Sequence, residues 1–95
     1  MQTHLILVGT DRAEGQRLAQ ERSLPLYDLN HLIAQGETVP IATIIVDEGL
    51  AQFHHIESVY LESMLRREPG VILISPETAA RHPALLAGHT IYVRS

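Results

Sequence analysis

Three clusters in this 95-residue sequence combine residue types capable of chemistry. His54 and His55 stand close to Glu57, Asp28 precedes His31 by one helical turn, and Ser75 opens the run Ser75-Pro76-Glu77. Imidazoles and carboxylates together could hold a metal ion or move protons. Spacing argues against the metal. Adjacent helix residues point about 100° apart, so His54 and His55 cannot both reach one ion without distortion. The neighbours one turn on are Ser58 for His54 and Leu61 for Glu57, and neither makes a ligand pair. No H-E-x-x-H spacing occurs. The histidines therefore read as solvated or locally hydrogen-bonded. Asp28 and His31 read as helix-start electrostatics. Ser75 has no triad partners, and a helix cap is its simplest role. No catalytic residue, metal or cofactor is expected. Asp28, His54 and Glu57 are left as candidate ligand-binding residues, with Asp28 at the end of a strand, where open α/β sheets bind ligands.

One residue type is missing. There is no lysine, and all seven basic residues are arginine. The formal charge is −4, and no basic run appears; Arg66-Arg67 is flanked by Glu62 and Glu68. Nucleic acids and anionic membranes need clustered cations, so neither is an expected partner. Cysteine is absent, which excludes disulfides and thiolate metal sites. No basic, apolar and small-residue succession marks a secretory signal, and no apolar run approaches the roughly 20 residues that cross a bilayer. A cytoplasmic protein is the expectation. Apolar residues make up 45% of the chain, enough for one small core, so residues 1–95 are read as a single domain.

Short apolar runs alternate with helical patterns. His4 to Val8 suits a strand buried on both faces, ending at Gly9. Asp11 can cap a helix to about Arg22, with Glu14 completing a capping box. Gly15 inside that helix costs about 1 kcal/mol, offset by close approach to the sheet. Leu24 to Tyr27 reads as a second strand, and Leu29 to Gln35 as a helix stopped by Gly36. Pro40 fits the first position of another helix, which ends near Gly49. Leu50, Phe53, Ile56, Tyr60 and Met64 then recur on one apolar helix face, with Glu57 mostly off it. Pro69-Gly70 closes that helix. Val71 to Ile74 is a third strand, Ser75-Pro76-Glu77 a helix start, Pro83 a break, and Thr90 to Val93 a last strand. Strands separated by helices predict a parallel α/β sheet.

In this order the segments resemble the first half of the shikimate kinase family. LILVG looks like its first strand, and Gly15-Gln16-Arg17-Leu18-Ala19 is similar to the start of its first helix. Leu26-Tyr27-Asp28 looks like its second strand with the acidic end. Asp47-Glu48-Gly49, Phe53 and Glu57 resemble its acidic-Gly and F-R-x-x-E helix. Val71 to Ile74, Ser75-Pro76-Glu77 and Ile91-Tyr92-Val93 follow in sequence. The resemblance implies a three-layer α/β/α domain with a four-strand parallel sheet, truncated, in the order 2-3-1-4.

It also implies losses. The family's phosphate loop is G-x-x-x-x-G-K-[ST], whose lysine reaches the phosphates and whose hydroxyl holds Mg²⁺. Aligning Gly15 on the helix glycine leaves the turn after Gly9 about four residues short, with the lysine and its neighbour deleted. Asp11 and Glu14 put carboxylates where a triphosphate would sit. On the substrate side, the second acid becomes Asn30, the carboxylate-gripping arginine becomes His54, and the triple-glycine turn and lid arginine are absent. Asp28 and Glu57 survive, and with His54 they mark a vestigial small-molecule pocket. The expectation is a non-enzymatic pseudokinase serving protein interaction, assembly or regulation. The alternative is a small-molecule or nucleotide binding protein with weak or lost kinase activity. Truncation after the last strand would leave Thr90, Ile91, Tyr92 and Val93 as an open edge, covered by a protein partner or by homodimerisation.

Overall fold

The four residues Leu5–Val8 (β1) and the four residues Val71–Ile74 (β3) carry no polar side chain and are buried throughout. Such runs belong in a sheet covered on both faces. In the computed structural model, which describes residues 4–93, they form the centre of a four-stranded sheet. Leu26–Asp28 (β2) pairs with β3, and Thr90–Val93 (β4) pairs with β1, all in parallel. The order is β2-β3-β1-β4, as the resemblance implies. Connecting the strands are α1 (Arg12–Glu21), α2 (Leu29–Glu37), α3 (Ile41–Glu48), α4 (Leu50–Leu65), α5 (Pro76–Arg81) and α6 (Pro83–Leu86).

Alternate side chains feed two cores. Ile6, Val8, Ile72 and Ile74 pack with Leu29, Ile33, Ile44, Phe53, Leu61, Met64 and Leu86, from α2, α3, α4 and α6. Leu5, Leu7, Val71 and Leu73 face α1 through Leu18 and Ala19. The three-layer α/β/α expectation is met. Gly15 serves the second core: a Cβ there would lie 2.8 Å from Leu73 Cδ2, so glycine lets α1 approach β3. Among the described residues no helix is long and apolar enough to cross a membrane.

Four local expectations need correction. Pro40 is the extended cap residue before α3, which begins at Ile41. Leu24 lies before β2, which begins at Leu26 and includes Asp28. Helix α2 runs through Gly36 to Glu37 and ends where Thr38 turns left-handed at φ 63°. Gly36 is there for packing, because a Cβ would run into the Tyr60 hydroxyl. The buried stripe of α4 is Phe53, Glu57, Leu61 and Met64. Leu50 is 55% exposed, while Glu57 lies inside the stripe at 1%. A buried carboxylate demands partners, and these define the region described next.

Candidate functional site at the carboxyl ends of the strands

The crevice of an open parallel sheet lies beyond the carboxyl ends of its strands. Here it is a cavity of about 330 Å³ reached by Gly9, Arg12, Asp28, Asn30, Ser75 and others. Three residues, Gly9, Thr10 and Asp11, connect β1 to α1. Gly9 takes φ 76°, a left-handed value that favours glycine. Its N–H donates to the Ile74 carbonyl at 3.0 Å, so it does not point into the crevice as a free donor. Asp11 caps α1 by accepting from the Glu14 N–H at 2.8 Å, as its position predicts.

Arg12 bridges the crevice. Its Nη1 lies 3.0 Å from Asp28 Oδ2. The other Asp28 oxygen accepts from the His31 N–H at 3.4 Å, capping α2. The His31 ring takes no part in that cap, so the link between these residues is backbone electrostatics, as expected. Across the crevice Ser75 caps α5, accepting from the Thr78 N–H at 3.1 Å.

Glu57 sits elsewhere, between α4 and α5. Its Oε2 accepts from Thr78 Oγ1 at 2.8 Å and Arg81 Nη2 at 2.9 Å. Its Oε1 lies 3.0 Å from Arg81 Nε and 2.8 Å from His82 Nε2. Burial alone would raise its pKa. The hydrogen bonds from Arg81, His82 and Thr78, with the Arg81 charge, outweigh burial and hold the carboxyl below its ordinary value. A carboxylate so enclosed is an anchor between helices rather than a base open to substrate.

His54 lies one turn before Glu57, its ring against Phe53 at 6.1 Å between centroids. Its Nε2 is buried without a hydrogen-bond partner. Among the described residues no hydrogen bond or ion pair joins Asp28, His54 and Glu57 to one another: Asp28 faces the crevice, and Glu57 is closed off under α5. Nor does any group of three or more histidine, aspartate or glutamate side chains among them suit a metal ion. Sequence reasoning missed Thr78, Arg81 and His82 as partners of Glu57. Their spacing was the available signal, since positions i, i+3 and i+4 share one helix face.

Comparison with known proteins agrees with this geometry. A family model described as shikimate kinase matches residues 13–94, beginning inside the first turn of α1. The shikimate kinase of Rhodococcus jostii strain RHA1 is 30% identical over 79 residues, covering 81% of this chain and 47% of that protein. The chain thus spans about half the length of this curated relative. The crystal structure of shikimate kinase from Bacteroides thetaiotaomicron superposes with a TM-score of 0.88 at 16% identity, over 98% of this chain and 57% of that one. Shikimate kinase from Acinetobacter baumannii, solved in complex with shikimate, gives 0.85 at 22% identity, over 98% and 56%. At those identities the structures establish likeness of fold, and the family match carries the assignment: this chain belongs to the shikimate kinase family.

Proposed function

We propose that this chain is a shikimate-kinase-like module that does not transfer phosphate and serves protein interaction, assembly or regulation. The observation that carries this reading is the connection from β1 to α1. Three residues span it, and with Gly15 aligned on the family's helix glycine it is about four residues too short for a G-x-x-x-x-G-K-[ST] cradle. The chain has no lysine to reach a phosphate. Phosphoryl transfer depends almost wholly on positioning and charge stabilisation, so these losses fall on the chemistry itself. Asp11 and Asp28 add negative charge around the crevice, and Arg12 is already paired with Asp28. The test is calorimetric titration with Mg·ATP beside a coupled assay for ADP release. No heat and no turnover are expected. Micromolar affinity at the Gly9 turn overturns the reading.

The surface assigned to the interaction is the β4 edge. Ile91, Tyr92 and Val93 are 43%, 59% and 70% exposed, and Thr90 is exposed too. No charge or proline interrupts the strand, so it lacks the usual guards against pairing. A second copy of the chain, related by a two-fold axis, is the simplest occupant. Size-exclusion chromatography with light scattering tests it, and a clean monomer at micromolar concentration removes the homodimer.

A second reading, a small-molecule or nucleotide binding protein with weak or lost kinase activity, draws support from the cavity between Arg12, Asp28 and Asn30. Titration with shikimate separates the two readings: saturable heat abolished by Asp28→Ala favours binding.

A further inference from the structure

Among the described residues strand β4 is held from one side only, pairing with β1 from Leu5↔Thr90 to Val8↔Val93. One hydrogen bond continues that contact beyond the amino end of the ladder. The backbone N–H of His4 donates to Nδ1 of His89 at 3.1 Å. A backbone amide can only donate. Nδ1 must therefore be the bare nitrogen of a neutral ring that keeps its proton on Nε2. The two imidazoles meet edge to face, with centroids 5.5 Å apart. His4 is 2% exposed, and both of its ring nitrogens are buried without a hydrogen-bond partner.

The surroundings do not favour added charge. Tyr27 of β2 lies 6.3 Å from the His4 ring and donates its hydroxyl to the Glu68 carbonyl. The Arg67 guanidinium sits over the Tyr27 ring at 5.7 Å, bringing a fixed cation to the same corner. Among the described residues no carboxylate is hydrogen-bonded or ion-paired to either imidazole. Burial first, and His89 second, hold the His4 pKa below its ordinary value, outweighing the opposing influence of the nearby Glu68 and Arg67 backbone.

We propose that His89 and the His4 amide form a protonation-sensitive latch that fastens β4 to the sheet. While Nδ1 is bare, the extra bond extends the β1–β4 contact. When Nδ1 takes a proton from solvent, the amide loses its acceptor, and two N–H groups point at each other. The buried His4 ring then faces a cation. Strand β4, with no second neighbour among the described residues, loosens first. Histidine is the side chain whose charge ordinarily changes between about pH 5 and 8, which sets the range over which the latch is tested. The inference concerns β4 while its outer edge is unpaired, so exchange is measured at a concentration where light scattering gives the mass of a single chain.

The experiment is amide hydrogen exchange by NMR on the full chain at about pH 7.5 and about pH 5.5, corrected for intrinsic rates. Protection of Ile91, Tyr92 and Val93, relative to the β2–β3 ladder, is expected to fall about three- to tenfold at the lower pH, the scale of one lost hydrogen bond. In His89→Asn the amide oxygen stands near the Nδ1 position and takes no proton in this range, so the difference should vanish. In His4→Phe the backbone donor remains, and the difference should persist. Unchanged relative protection in the wild type overturns the latch. So does a drop that survives His89→Asn or disappears in His4→Phe. Ring ¹⁵N shifts of His89 in the wild type give an answer even if a variant fails to fold. Protonation at Nδ1 must track the loss of protection, and a mismatch overturns the proposal.

Discussion

Glu57 of α4 and Arg81 of α5 form a two-pronged ion pair, Nε to Oε1 at 3.0 Å and Nη2 to Oε2 at 2.9 Å. The guanidinium on Glu57 comes from a different helix, so the pair ties α5 to α4. Its two ends are buried unequally, with side-chain exposures of 1% for Glu57 and 29% for Arg81. Removing the arginine strands a buried charge, whereas neutralising the acid leaves a cation able to turn to water. Arg81→Ala should cost about 3 kcal/mol or more, and Glu57→Gln about 1–2 kcal/mol. Urea denaturation of both variants at neutral pH measures this. Equal or reversed losses contradict the asymmetry.

The pH dependence of stability should show two acid steps. His4 is held below its ordinary value of 6.5, so the unfolded chain takes up its proton first as pH falls. Stability therefore declines as pH drops below about 6.5. Glu57 is depressed below 4.5, so its contribution is full above that value and is lost as pH falls through the lower, folded value. Denaturation midpoints measured across this range should fall gently at first, then steeply. His4→Phe should lessen the first slope and leave the second. A variant curve parallel to the wild type above pH 4.5 would show that His4 is not the group responsible.

Much of the frame was readable from residue order, because buried parallel strands and capped helices leave local marks. Asp11, Ser75 and Pro83 act where their chemistry places them: two caps and one break. Gly15 touches Leu73 as a mid-helix glycine must if the sheet is near. The errors arose where distant residues decide. Gly36 looked like a stop because its real neighbour, Tyr60, lies 24 positions away. Glu57 looked mostly off the buried face because the shared helix face of Thr78, Arg81 and His82 does not by itself show which carboxylate they will surround. For the same reason Asp28 and Glu57 looked like one pocket, although the fold sends one to the crevice and the other beneath α5.

Gly36 gives a sharper test of that long-range logic. Alanine normally gains about 1 kcal/mol over glycine inside a helix. Here its Cβ would displace the Tyr60 hydroxyl, which donates to Glu37 at 2.8 Å. Gly36→Ala is therefore expected to destabilise by about 1–2 kcal/mol, reversing the propensity gain. In a Tyr60→Phe background the hydroxyl is gone and the penalty should shrink by at least about 0.5 kcal/mol, a coupling that a double-mutant cycle resolves. Strict additivity would mean that the contact is not what fixes glycine at this site.

Val93 separates association from folding. It is 70% exposed at the carboxyl end of β4, pairing with Val8 through backbone alone on the one side that is covered. A lysine there removes little buried apolar area, so the monomer's stability should change by no more than about 0.5 kcal/mol. The same lysine sets a cation on an edge that a second strand would have to approach, the device by which natural edge strands avoid pairing. In a two-fold assembly each substitution acts twice, because both copies contribute the same strand. Val93→Lys is thus expected to leave the denaturation midpoint almost unchanged while shifting light-scattering mass from dimer to monomer. If the mass does not respond while the wild type is dimeric, association runs through another surface. If the midpoint collapses with the mass, β4 is instead part of a dimer that the fold cannot do without.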